Sequence, residues 1–81
     1  MAEHLVRSPL PGVFYRRPAP GQPVYAEEGQ DVTAGQTIGL VEVMKQFSEV
    51  PAGADGQLRT FSVEDEAVVG PGDVVATIDA D

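Results

Sequence analysis

The chain has no cysteine, so neither disulfides nor thiolate metal sites are open to it, and nothing in it demands an oxidising compartment. It has one histidine, His4, which rules out a histidine-based acid/base pair and a histidine cluster around a metal. His4 reads as a surface residue of an N-terminal lead. No apolar stretch approaches the roughly 20 residues of a membrane-spanning helix, and residues 1–7 lack the apolar segment of a secretory signal. Positive charge is scarce: 5 lysines and arginines stand against 13 aspartates and glutamates, a formal net charge of -8. That balance argues against nucleic acid and anionic membrane as partners, since both need basic patches. The plain reading of the acidity is solubility; the sharper one is that the domain visits basic surfaces on partner proteins. No nucleophile–base pair, phosphate loop or metal constellation is visible, so no catalytic residue and no metal site is expected. The acidic run Glu64, Asp65, Glu66 lacks the spacing of a calcium loop and reads as a solvated turn. A soluble cytoplasmic protein is the expectation.

With 81 residues, one small domain spanning 1–81 is expected, stabilised by tight packing and good turns. No stretch shows sustained helical periodicity. Glycine and proline punctuate short runs of Val, Ile and Thr, which predicts an all-β sandwich or barrel. An internal repeat is visible. Residues 27–42 and 64–79 each read as an acidic turn, a valine, small residues, a glycine and an apolar strand, at a constant spacing of 37 (Gly35 to Gly72). Two copies predict two halves related by a pseudo-twofold axis. Upstream the spacing becomes 44 (Gly12 to Gly56), so the first half carries 7 extra residues, within about 16–24. Pro18, Pro20 and Pro23 fall there with Gly21. Proline has no N–H to give a central strand, so this segment should project as a stiff loop. It is either an inert surface insertion or a functional one, and its absence from the symmetric half favours function.

Lys45 is the only lysine. It lies between the two copies, at the tip of an expected hairpin spanning about 40–50. In a twofold duplicate whose termini share one end, this tip should be exposed at the other. Met44-Lys45 is an unusual two-residue turn, because such turns favour Asn-Gly or Asp-Gly. A local rule broken at one site is where function is expected. A unique primary amine at an accessible tip reads as a lysine meant to be modified, against the plainer reading of an ordinary exposed lysine.

These residues carry a resemblance. Glu42-Val43-Met44-Lys45-Gln46 resembles the Glu-Ala-Met-Lys-Met motif of the biotinyl (biotin carboxyl carrier) domain family, and its place between two pseudo-symmetric halves makes the match specific. The resemblance runs from about Val6 to Ile78. The opening Ser8-Pro9-Leu10-Pro11-Gly12-Val13-Phe14-Tyr15-Arg16 is similar to the carrier domains of bacterial acetyl-CoA carboxylases, and the proline loop matches their "thumb". The resemblance implies a flattened β-barrel, or barrel-sandwich hybrid. It implies biotin joined to Lys45 through an amide by biotin protein ligase. It further implies transfer of a carboxyl group from a biotin carboxylase to a carboxyltransferase, most readily in acetyl-CoA or another acyl-CoA carboxylase and hence in fatty acid biosynthesis. The carrier itself would be non-catalytic and would supply effective concentration.

The chain departs from the family pattern at Val43, at Gln46 and at Glu66, where the family has glycine; if that turn needs a positive φ, Glu66 is slightly strained. A methionine opens the domain almost directly, which favours a free-standing carrier over a fragment. Met44 is either core filler or a recognition residue, and recognition is preferred beside Lys45. Glu42 takes a secondary recognition role. The thumb residues Arg17, Pro18, Ala19, Pro20, Gly21, Gln22 and Pro23 are either a spacer or, by resemblance, a restraint on the biotin ring. Arg16 and Arg17 could pair with acidic surface groups. Phe14, Tyr15, Tyr25, Phe47 and Phe61 read as core or near-core aromatics. The alternatives are a lipoyl carrier of a 2-oxo acid dehydrogenase-type complex, disfavoured by Met44 and the thumb, and an unmodified interaction module of the same fold.

Overall fold

A computed structural model describes residues 2–80; Met1, at the head of the lead segment, and Asp81 lie outside the described residues. The described residues form eight strands and no helix: β1 (Ala2–Arg7), β2 (Gly12–Tyr15), β3 (Asp31–Val32), β4 (Thr37–Val43), β5 (Gln46–Pro51), β6 (Gly56–Phe61), β7 (Ala67–Val69) and β8 (Val74–Ala80). They build two four-stranded antiparallel sheets, ordered β1-β8-β6-β3 and β5-β4-β2-β7. Strand pairing stays within each sheet among the described residues, so the fold is a sandwich of two sheets and is not closed into a barrel by hydrogen bonds.

The repeat is realised strand for strand. β4 and β8 start 37 residues apart and share one burial pattern; β1 and β5 start 44 apart and share another. His4 therefore lies within a paired strand, opposite Ile78, half-buried and not in a loose lead. The core draws equivalent residues from both halves: Val6 with Val50, Val32 with Val69, Ile38 with Val75, Val41 with Ile78, Phe14 with Leu58. Burying a side chain of this size is worth about 1.5–3 kcal/mol. One pair of positions is exchanged in size. The larger Phe14 goes with Gly39, where a Cβ would stand 2.6 Å from the Phe14 ring, and the smaller Leu58 goes with Ala76 in the other half.

The halves differ around the thumb. β6 carries a register shift between Leu58 and Thr60, so Arg59 is the extra residue of a β-bulge and Thr60, not Arg59, faces the strand position equivalent to that of Tyr15. Beyond this point two carboxylates do the same job. Asp65 Oδ1 accepts from the backbone N–H of Arg16 at 2.8 Å, and Glu28 Oε2 accepts from that of Phe61 at 2.8 Å. Counted from these anchors, Arg16 to Gly29 is 13 positions and Phe61 to Glu66 is 5, an insertion of 8 residues. The spacing of glycines gives 7 because the bulge absorbs one. Gly29 and Glu66 occupy equivalent turns, both with positive φ (92° and 70°), so Glu66 does adopt the left-handed conformation that glycine takes in the first half.

Candidate functional site: the Met44-Lys45 hairpin tip and its thumb

β4 and β5 pair down to Val43 opposite Gln46, which leaves Met44 and Lys45 as a two-residue turn. Their φ angles are 51° and 66°. Two positive φ values are what a type I′ turn requires, and its twist matches the right-handed twist of the flanking strands. Neither residue is glycine, so each accepts a left-handed conformation at a cost of roughly 1 kcal/mol. Of the three non-glycine residues with positive φ among the described residues, two stand side by side here. Such strain persists where a particular side chain is required.

The tip points away from the chain ends. The equivalents of Val43 and Gln46 are Ala80 and Ala2, which pair with each other, so the first and last described residues mark the other sheet's counterpart of this tip. The short connection 8–11 leads from the Val74 end of β8 to the Glu42 end of β4, which sets the two tips at opposite ends of the sandwich. Met44 is 92% exposed, which excludes it from the core. Lys45 and Gln46 are exposed, whereas Glu42 and Val43 are half-buried at the end of β4. Val43 packs against the core cluster. Among the described residues the Lys45 amine has no ion-pair partner.

Tyr15, on the neighbouring strand β2, ties down both arms of the hairpin. Its hydroxyl donates to Glu42 Oε1 at 3.0 Å, and its ring lies against that of Phe47, with centroids 6.3 Å apart. Glu42 and Phe47 are cross-strand partners. The hydrogen bond to Glu42 holds the Tyr15 phenol above its ordinary pKa, with burial and the carboxylates of Glu42, Glu66 and Asp65 acting in the same direction. Phe47 was expected near the core but is 57% exposed, because the period-two alternation of β5 buries Val50 and turns Phe47 outward.

The thumb is closed at its base by a hydrogen bond from Tyr25 N–H to the Arg16 carbonyl (2.9 Å) and braced within by Gln22 N–H to the Ala19 carbonyl (3.1 Å) and Arg17 Nη1 to the Gln22 carbonyl (3.3 Å). Asp65 anchors it to the body: besides the Arg16 N–H, its Oδ2 lies 3.7 Å from Arg17 Nε. Arg16 lays its guanidinium over Phe61, 4.1 Å from the ring centroid. The turn 64–66, expected as merely solvated, is thus what holds the thumb in place, through Asp65. Between thumb and sheet lies a groove of about 390 Å³, lined by Tyr15, Phe47, Arg17, Pro18, Ala19, Pro20, Asp65 and Glu66. Of the thumb residues singled out in the sequence, Gly21, Gln22 and Pro23 lie outside this lining. Tyr15 and Phe47 read from sequence only as core or near-core aromatics, and Asp65 only as part of a solvated turn. For Tyr15 and Phe47 the usable signal was strand alternation around Phe14 and Val50; nothing in the local sequence marks Asp65. Among the described residues no group of three or more His, Cys, Asp or Glu is placed to hold a metal ion.

A sequence profile of the family described as biotin-requiring enzymes matches residues 4–78. The chain belongs to the biotin-requiring enzyme family. It is similar to the biotin carboxyl carrier protein of acetyl-CoA carboxylase from Nostoc (42% identical over 59 residues, 73% of this chain and 32% of that one). It is also similar to the protein of the same name from Haemophilus influenzae (37% over 65 residues, 80% of this chain and 42% of that one). This member of the biotin-requiring enzyme family thus spans less than half the length of these relatives. In structure it resembles part of the urea carboxylase of Kluyveromyces lactis, with a TM-score of 0.79 and 29% identity over 96% of this chain and 6% of that one. A single-chain, multi-domain long-chain acyl-CoA carboxylase contains a similar region, with a TM-score of 0.79 and 25% identity over 98% of this chain and 7% of that one.

Proposed function

We propose that this chain is a biotin carboxyl carrier, a single domain over 1–81 that is modified on Lys45. The observation that carries the reading is the sole lysine of a biotin-requiring enzyme family member standing in a strained type I′ turn, exposed and free of ion pairs among the described residues. Such a lysine suits acylation: its Nζ is open to a modifying enzyme, and no buried pairing is lost when the charge is removed. Biotin, once bound there through an amide, supplies a ureido nitrogen that takes up and gives away a carboxyl group. The chain's own part is positioning. The Tyr15 bond to Glu42 and the Tyr15–Phe47 contact support the hairpin arms, the turn projects Lys45, and the thumb, anchored by Asp65, walls one side of the space beside the tip.

In this reading the chain does no bond chemistry. Biotin protein ligase loads Lys45, a biotin carboxylase and a carboxyltransferase use it, and an acyl-CoA carboxylase of the cytoplasm is the setting. Tethering raises the effective concentration of the carried group at both active sites. The test is intact-mass spectrometry after co-expression with biotin protein ligase and excess biotin. A single biotinyl increment is expected in the wild type and none in Lys45→Arg. A lipoyl increment, or a biotin increment persisting in Lys45→Arg, overturns the reading.

A further inference from the structure

The pseudo-twofold axis supplies an internal control, because a row of outward-facing positions in one sheet has a counterpart row on the other. In the sheet that carries Lys45, one cross-strand row runs Phe47, Glu42, Val13, Val68 over β5, β4, β2 and β7. Its counterpart in the other sheet runs Glu3, Asp79, Gln57, Asp31 over β1, β8, β6 and β3. The second row is polar throughout, and the bulge residue Arg59 bridges Glu3 and Asp79 across it. The first is apolar at three of four positions, with Tyr15 beside it. A duplicated fold needs no such difference for stability: Val68 is 85% exposed and Phe47 57%. Of the five large hydrophobic residues exposed among the described residues, Met44, Phe47 and Val68 belong to the hairpin tip or this row. With strands about 4.8 Å apart, the row extends roughly 14 Å sideways from the hairpin arm.

We propose that the outer face of β5-β4-β2-β7, centred on Phe47, Val13 and Val68, is the docking surface for the enzyme that acylates Lys45, and that this enzyme meets it with an apolar patch rimmed by basic side chains. This rests on the carrier reading. The choice of occupant follows from reach. An enzyme that forms a bond at Nζ must come within the length of one lysine side chain of the hairpin, whereas enzymes that act on the far end of a long tethered group can stand off. Phe47 is two residues from Lys45, so an enzyme at Nζ is already over this row. The basic rim follows from charge complementarity: Glu49, Glu64 and Glu66 are exposed, while the nearby Arg17 is turned toward Asp65. Exposed apolar residues beside like charges mark an interface centre and its rim.

The test measures initial rates of biotin incorporation at varied carrier concentration with purified biotin protein ligase, together with the end-point mass. Val68→Lys is expected to raise KM about tenfold, equivalent to ~1.4 kcal/mol of lost docking. Phe47→Ser, which adds no charge, is expected to raise KM as well. Gln57→Lys places the same charge change on the counterpart row and is expected to leave KM unchanged. All variants should reach the full biotinylated mass at long times. A wild-type KM in Val68→Lys, or an equal rise in Gln57→Lys, overturns the docking surface while the carrier reading stands. A wild-type dimer in light scattering that Val68→Lys converts to monomer gives the face to a second copy and also overturns it. If the wild type takes up no biotin, the carrier reading fails and the proposal with it.

Discussion

Replacing Met44-Lys45 by Asn-Gly is expected to make the protein more stable while removing its modifiable amine. Both residues hold positive φ angles, 51° and 66°. For side chains with a Cβ that conformation costs about 1 kcal/mol each. Asn tolerates it far better and Gly adopts it freely, so up to ~2 kcal/mol of strain is relieved. Against this, glycine gives the unfolded chain extra entropy, worth about 0.5–1 kcal/mol. Little packing is lost, because Met44 is 92% exposed and Lys45 is exposed as well. The net is a gain of ~1 kcal/mol, which for a domain of this size raises Tm by about 4–8 °C. The assay is reversible thermal unfolding by far-UV circular dichroism at neutral pH, with the single variants Met44→Asn and Lys45→Gly measured alongside. An unchanged or lowered Tm in the double variant would refute the argument that the turn stores strain. A raised Tm shows stability given up at this turn so that Met44 and Lys45 can stand where they do.

Two further outcomes follow from the packing and from one carboxylate. Gly39→Ala is expected to destabilise the fold by roughly 1–3 kcal/mol of overpacking, since its Cβ would stand 2.6 Å from the Phe14 ring. Adding Phe14→Leu should restore part of this, because it recreates the Leu58 and Ala76 combination of the other half; chemical denaturation of both single variants and the double checks it, and strict additivity counts against the size exchange. Glu28 has its pKa lowered by the Phe61 N–H and then by the Thr60 hydroxyl, with a smaller contribution from Arg16, against an opposing effect of desolvation. A depressed folded-state pKa adds stability that is present above the ordinary glutamate pKa and lost as pH falls through the lowered value. Glu28→Gln should therefore flatten the acid limb of a stability-against-pH curve, and an identical limb in wild type and variant would remove Glu28 from that role.

The repeat, the pseudo-symmetry and the place of Lys45 were all legible in the sequence. Strands declare themselves through period-two alternation, and the spacings of 37 and 44 residues carry over to β4/β8 and β1/β5. The Met44-Lys45 turn was legible because only two residues separate two strand-forming runs. Tertiary structure decided the rest. The bulge at Arg59, which makes the insertion 8 residues instead of 7, depends on a register between β6 and β8 that local sequence does not encode. Asp65 looked like one acid in a solvated run, yet it anchors a thumb 49 positions away. Phe47 looked like core because aromatics usually are, and the register with Glu42 turned it outward. The contrast between the polar row of one sheet and the apolar row of the other exists only once strands are paired, since each row takes one residue from each of four strands. Sequence alone determined which residues alternate and where the chain turns, because those are short-range properties of the backbone. Which side chains meet across strands is a long-range property, and the pairing of the sheets alone settled it.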